Sequence, residues 1–186
     1  MHRRSFLQAS LLAGLWSLLP TAGAAAPRTW LYVDTERRSV TLFEGYRDPR
    51  PLRHFEPGAL GRNGADHYRI RGSRVTPKGR FRITGINEKS RFHRFFAFDY
   101  PTVEQARWGL ERGVITRREH RAIVAAHRRG DPPPQNTALG GHIGLHGVKG
   151  KRSTAWNWTE GCVALMNDQI DILTPWLGVG THVVVV

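Results

Sequence analysis

The only cysteine of the 186-residue chain lies in residues 158–166, Trp-Thr-Glu-Gly-Cys-Val-Ala-Leu-Met. A short apolar segment at residues 143–146, Ile-Gly-Leu-His, precedes it and is followed by a polar, basic loop. Both segments have the length and composition of short strands. This spacing suits two adjacent strands joined by a long loop, which would bring the imidazole of His146 next to the thiol of Cys162.

The segments upstream predict further β structure. Residues 30–33 and 39–43 are β-prone and flank a polar turn, so we expect a hairpin. From Arg53 to Ile86 apolar and polar residues interchange over short distances and are interrupted by glycines, which is typical of strands and turns. The fold class predicted is therefore mainly β or α+β.

Three helices are predicted. Thr102 and Thr116 each stand three residues before a Gln or Glu, the pattern of a capping box, which predicts helices over about residues 103–112 and 117–129. They form a helical insertion between strands. Asn167 is expected to cap a third helix, over about residues 168–177, and residues 181–186 to form a closing strand.

The first 24 residues have the features of an export signal. Paired arginines are followed by an apolar run and by the small residues Ala-Gly-Ala at 22–24. The Arg-Arg-Ser-Phe-Leu order at residues 3–7 resembles a twin-arginine signal, and a general secretory signal would look similar. We expect one mature domain, residues 25–186, located in the periplasm without stable membrane insertion after cleavage.

The chain is strongly basic, with 28 Lys and Arg against 15 Asp and Glu and a formal net charge of +13. Such charge favours contact with polyanionic surfaces. The basic residues are scattered, and no helix-turn-helix, ribonucleoprotein or zinc-finger pattern is present. We therefore expect no nucleic-acid partner. The basic residues are instead expected to form a solvated surface or to contact a cell-wall polymer.

A lone cysteine in an exported chain has no structural disulfide partner, so a reactive thiol is a natural hypothesis. The alternative is a small buried apolar residue. A free thiol has a pKa of about 8.5, and an imidazolium at His146 would lower it. Gly161 permits a sharp turn, after which the amides of Gly161 and Cys162 could stabilise an oxyanion.

A zinc site is the competing chemical interpretation of the same residues. His142 and His146 alternate along one strand and could join Cys162 as ligands. A fourth ligand or a carboxylate-bearing motif is not evident, so we expect neither a metal nor another cofactor.

Beyond the cysteine, several segments resemble the L,D-transpeptidase catalytic domain, also called YkuD. They are residues 76–81, 90–93 with 100–101, 140–147, 159–164 and 167–171. The resemblance covers about residues 30 to 186 and implies a β-sandwich with a helix after the cysteine. It also implies acyl transfer on peptidoglycan stem peptides containing diaminopimelate. Cys162 would form a thioester, His146 would move protons and the backbone carbonyl of Gly147 would orient the imidazole.

The sequence departs from the commonest motif of that family. Thr159 and Glu160 replace Ser-His, and Ala164 replaces an arginine. The motif Thr-Glu-Gly-Cys-Val-Ala is similar to a branch that includes enzymes hydrolysing the bond between peptidoglycan and an outer-membrane lipoprotein. Transfer and hydrolysis both stay open, as does a non-catalytic wall-binding module. By resemblance, the substrate-binding candidates are Arg91, His93, Thr159 and Glu160.

Overall fold

The computed structural model describes residues 29–186. The predicted export signal lies outside these residues. The strands are β1 (Thr29–Asp34), β2 (Ser39–Glu44), β3 (Arg50–Phe55), β4 (Ala65–Asp66), β5 (Thr76–Pro77), β6 (Gly79–Ser90), β7 (His93–Phe98), β8 (Gly144–His146), β9 (Val163–Ala164) and β10 (His182–Val185). The helices are α1 (Val103–Glu111), α2 (Arg117–Arg129) and α3 (Asn167–Leu173), the last followed by a 3-10 turn, Thr174–Trp176. Within residues 29–186 no helix has the length and hydropathy needed to cross a membrane.

Eight of the strands form one sheet in the order β3-β2-β1-β10-β6-β7-β8-β9, and β4 pairs with β5 separately. β1 and β2 are antiparallel, with Thr29 opposite Glu44, which confirms the predicted hairpin. β10 lies between β1 and β6, parallel to the first and antiparallel to the second. The closing strand therefore occupies the middle of the sheet.

The long strand β6 joins two halves of this sheet. Its first residues pair with β10, and from Ile83 onward it pairs with β7, with a register shift between Ile83 and Gly85. An irregularity of this kind lets a strand bend from one layer into another. Apolar side chains of both halves meet in one buried cluster, which includes Leu31, Leu42, Phe81, Phe96, Leu145 and Val163. The prediction of a mainly β domain is confirmed.

The helical insertion lies between β7 and β8, as predicted. The hydroxyls of Thr102 and Thr116 accept the N3 amides, and the N3 side chains accept the N-cap amides, so both capping boxes are present. α2 ends at Gly130 in the left-handed conformation with φ 76°. The helices pack on a second buried cluster formed by Ala106, Ile115, Ile123 and Leu139.

The start of α3 differs from the prediction. Met166 is its N-cap, and the backbone amide of Met166 donates to Oε1 of Gln169 at 3.0 Å. The side chain of Asn167 does not cap the helix, because its Oδ1 accepts the amide of Val148 at 2.8 Å. Asn167 thus ties the helix to the loop that follows β8.

We predict that Leu145→Ala destabilises the domain by about 2–5 kcal/mol, because Leu145 is only 1% exposed and its truncation leaves a cavity between β7 and β9. Urea unfolding monitored by circular dichroism measures the change. Val179→Ala is the matched control, since Val179 is 71% exposed and its truncation should alter stability by no more than about 0.5 kcal/mol. Equal losses in the two variants would contradict the placement of β8 in the core.

Candidate active site

Cys162 and His146 are brought together by the parallel pairing of β8 and β9. Leu145 lies opposite Val163, and His146 lies opposite Ala164. Side chains two residues apart along an extended segment share a face, so Cys162 is on the face of Ala164 and His146. Both side chains line one cavity of about 970 Å³. The adjacency expected from the spacing of the two segments is present.

A tight turn before β9 presents the cysteine. The Oγ1 of Thr159 donates to the carbonyl of Cys162 at 2.7 Å and accepts the amide of Gly161 at 3.1 Å. Gly161 has φ 132°, a left-handed value that favours glycine. A Cβ at this position would also meet Nη1 of Arg69 and, at 2.7 Å, the carbonyl of Val75. Only glycine fits between the turn and these neighbours.

The turn changes the expected oxyanion donors. The Gly161 amide is engaged by the Thr159 hydroxyl. The Cys162 amide, in contrast, donates to no residue within 29–186. Of the two amides proposed from the sequence, Cys162 is the one available to a developing oxyanion.

His146 is held in one orientation. Its Nδ1 lies 2.6 Å from the carbonyl oxygen of Gly147, and since a carbonyl only accepts, Nδ1 carries the proton. Nε2 of the neutral ring is consequently the free acceptor. The imidazole is 3% exposed and stacks on Phe92 with a centroid distance of 4.7 Å, while Trp158 lies 5.8 Å away.

Burial sets the protonation states of the pair. It raises the pKa of the Cys162 thiol to about 11, although a backbone hydrogen bond from Gly144 and the positive charge of Arg69 act in the opposite direction. It also lowers the pKa of His146, against the hydrogen bond to Gly147 and together with the charge of Arg91. The expectation that an imidazolium at His146 lowers the pKa of the Cys162 thiol is therefore wrong for this structure. Desolvation disfavours both the thiolate and the imidazolium.

The thiol also donates a hydrogen bond to the backbone. Sγ of Cys162 donates to the carbonyl of His142 at 3.3 Å, and the residue is half-buried. His142 is exposed and precedes β8, so its carbonyl is its contribution to the site. No group of three or more His, Cys, Asp or Glu side chains that could hold a metal ion occurs within residues 29–186.

The four substrate-binding candidates are placed differently from one another. Arg91 is exposed, lines the cavity and lies over the ring of Phe92 at 4.8 Å. Glu160 is at the cavity rim, with Oε2 3.2 Å from Nε of Arg74.

The polar groups of the other two candidates, Thr159 and His93, are engaged in contacts within the protein. Thr159 is 3% exposed and uses its hydroxyl within the turn. His93 lies outside the cavity lining and places Nε2 2.7 Å from Oδ1 of Asp171 on α3. Both contacts are internal, so these residues shape the site rather than line it with free polar groups.

Sequence reasoning missed several cavity residues. Arg69 and Arg71 come from the loop after β4, Gln135 from the loop after α2, and Arg152 from the loop after β8, where it lies over the Trp158 ring at 4.7 Å. Arg69, Arg71 and Gln135 are far from Cys162 in sequence, and no motif points to these residues or to Arg152. Only the alternation Tyr-Arg-Ile-Arg at residues 68–71 gives a signal that the arginines share one side of the chain.

The cavity is strongly cationic. Its lining includes the basic residues Arg62, Arg69, Arg71, Lys89, Arg91 and Arg152. Glu160 is the one acidic residue in that lining, and it is already shared between Arg74 and Arg62, the latter at 3.7 Å. The site can thus combine a thiol, a base and an attraction for anions.

Solved structures with this fold share low sequence identity with the chain. They include Bd1075 of Bdellovibrio bacteriovorus, with 18% identity, a TM-score of 0.57 and coverage of 89% of this chain and 50% of that one. The helical cell shape determining protein Pgp2 of Campylobacter jejuni has 15% identity, a TM-score of 0.56 and coverage of 86% and 50%. A mutant of the Enterococcus faecium L,D-transpeptidase has 12% identity, a TM-score of 0.50 and coverage of 86% and 50%.

These structures establish the fold, and the chain spans about half the length of each. No curated protein sequence matches the chain. The family model for the L,D-transpeptidase catalytic domain, YkuD, matches residues 28–185. That match covers every described strand and helix, and the chain accordingly belongs to the YkuD family of L,D-transpeptidase catalytic domains.

Proposed function

We propose that the protein is a cysteine acyltransferase that acts on peptidoglycan stem peptides containing diaminopimelate. The observation that carries the proposal is the pairing of Cys162 with His146 in one cavity, where Gly147 fixes the imidazole with Nε2 free to accept a proton. The family membership supports the reaction class. Gly147 takes the orienting role that a carboxylate or amide side chain fills in other triads.

The chemistry follows from the positions of these groups. His146 Nε2 takes the thiol proton as Sγ attacks the amide carbonyl carbon, and the Cys162 amide donates to the oxyanion. The C–N bond then breaks, and the leaving amine receives the proton from His146. The acyl group remains as a thioester on Cys162. An acceptor amine, or water, attacks that thioester with His146 again acting as base.

The resting site holds neutral partners. A thiol pKa of about 11 and a lowered imidazole pKa mean that the free protein near neutrality contains Cys–SH beside neutral His146. Proton transfer therefore accompanies attack rather than preceding it. A neutral imidazole near operating pH is suited to act as a general base.

The proposed reaction takes place in the periplasm, with either an amine or water as the acceptor of the acyl group. The Arg-Arg and apolar pattern of residues 1–24 supports export to the periplasm, where the wall is accessible. Pgp2 is a cell shape determining protein, which agrees with a role in wall remodelling. Hydrolysis, including release of an outer-membrane lipoprotein, uses the same thioester with water as the acceptor.

We predict that Cys162→Ala abolishes product formation from diaminopimelate-containing muropeptides, because the variant lacks the atom that forms the thioester. Mass spectrometry of the wild-type products separates the reactions: cross-linked peptides indicate transfer, and a trimmed stem or released lipoprotein indicates hydrolysis. Circular dichroism controls for folding. Undiminished turnover by Cys162→Ala would sink the mechanism, whereas sedimentation of an inactive wild-type protein with sacculi would favour a binding module.

We predict that alkylation of Cys162 by iodoacetamide accelerates about tenfold per pH unit from pH 6 to 10 without a plateau, because thiolate forms with a pKa of about 11. The raised pKa makes thiolate scarce below that value and increasingly available as pH rises. His146→Gln should retain this slope. A plateau near neutral pH that disappears in His146→Gln would instead reveal a thiolate–imidazolium pair.

A further inference from the structure

A buried arginine without a partner lies beside the nucleophile. Arg69 is 7% exposed, and its Nε and Nη1 are both buried without a hydrogen-bond partner among residues 29–186. A guanidinium stays charged at any pH the protein meets. A buried charge is normally paired, because leaving it desolvated and unpaired is costly. The guanidinium therefore has two buried donors for which residues 29–186 supply no acceptor.

The position of Arg69 is defined by two glycines. A Cβ added to Gly161 would collide with Nη1, so the guanidinium lies against the residue that directly precedes Cys162. A Cβ on Gly140 would lie 3.6 Å from Nη2. Arg69 also lines the cavity that holds Cys162 and His146. Its positive charge reaches the thiol, since it opposes the burial that raises the pKa of Cys162.

No acidic side chain among residues 29–186 forms an ion pair with Arg69. Its Cζ lies 5.6 Å from the centroid of the Tyr100 ring, and the Tyr100 hydroxyl donates to the carbonyl of Leu139. The ring covers the guanidinium without neutralising it. Glu160, the one acidic residue of the cavity lining, is already paired with Arg62 and Arg74. A partner for the guanidinium would therefore have to come from outside residues 29–186.

We propose that Arg69 binds a substrate carboxylate close to the scissile amide. A planar carboxylate matches the guanidinium fork and satisfies two donors at once. This inference rests on the proposed function, because it specifies which stem peptides the thiol attacks. The carboxylate has two possible sources: the terminal carboxylate of the residue released, or the second carboxylate of diaminopimelate in the acyl part.

The subsite can be tested without any wall substrate by comparing iodoacetate with iodoacetamide. Each forms a bond from Sγ to its methylene carbon and releases iodide, but only iodoacetate carries a carboxylate. The ratio of the two rates cancels the thiolate fraction, so changes in the thiol pKa do not affect it. We expect the ratio for Cys162 to exceed that of N-acetylcysteine by about tenfold, the effect of a charge-assisted hydrogen bond.

Two variants separate Arg69 from the general charge of the cavity. Arg69→Gln should lower the ratio about tenfold, to that of N-acetylcysteine. Arg152→Gln removes the same charge from an exposed part of the same cavity and should change the ratio by no more than about threefold. Equal effects of the two variants overturn the proposal. A wild-type ratio no higher than that of N-acetylcysteine overturns it even if Arg69→Gln fails to fold.

The source of the carboxylate is resolved with three matched stem tetrapeptides: the free acid, its C-terminal amide and its diaminopimelate amide. Amidating the carboxylate that Arg69 binds should lower kcat/KM at least about tenfold in the wild type and have little effect in Arg69→Gln. Equal kcat/KM for all three, or an equal loss on all three in Arg69→Gln, overturns the subsite while turnover upholds the proposed function. If no peptide is turned over, the proposed function fails, and the alkylation ratio still decides whether Arg69 binds carboxylates.

Discussion

The parallel contact between β8 and β9 is the interaction on which the site depends. The two strands are three and two residues long, so their ladder alone is a weak restraint. β9 is reinforced on its other side, where Ala59 and Ala164 exchange two backbone hydrogen bonds of 2.8 Å each. The Thr159 hydroxyl then closes the turn in front of Cys162. Backbone pairing on both sides of β9 and the side chain of Thr159 together position Cys162 next to His146.

Burial gives this site both its order and its low resting reactivity. The stacked ring of Phe92 and the tilted ring of Trp158 shield His146 from water, and the imidazole makes a hydrogen bond to the carbonyl of Gly147. The same desolvation keeps the thiol protonated, and thiols oxidise and alkylate through the thiolate. Under the proposed mechanism, the thiol would therefore become reactive only when a substrate carbonyl and His146 act together. The attraction for anions comes from the arginines of the cavity lining, which take no part in the proton transfer between Cys162 and His146.

The parts of the fold that sequence predicts well are those governed by local rules. The hairpin and the two capping boxes depend on residues within a few positions of one another, and all are present. The approach of His146 to Cys162 was also predictable, because one loop joins the two strands. The cap of α3 was not, since Asn167 has a competing donor in the amide of Val148. The thiol pKa was predicted in the wrong direction because burial cannot be seen in a motif. Arg69 reaches Gly161 only through the packing of distant loops.

The central position of β10 has a consequence for how the chain acquires its structure. β1 and β6 do not pair with each other, and each needs β10 as its neighbour. The halves of the sheet therefore join only when β10 pairs with both strands, which makes the decisive contacts long-range in sequence and slow to form. Without β10, β1 and β6 would each expose an unpaired strand edge, and such edges pair readily with other chains. Insertion of β10 thus removes two aggregation-prone edges at once.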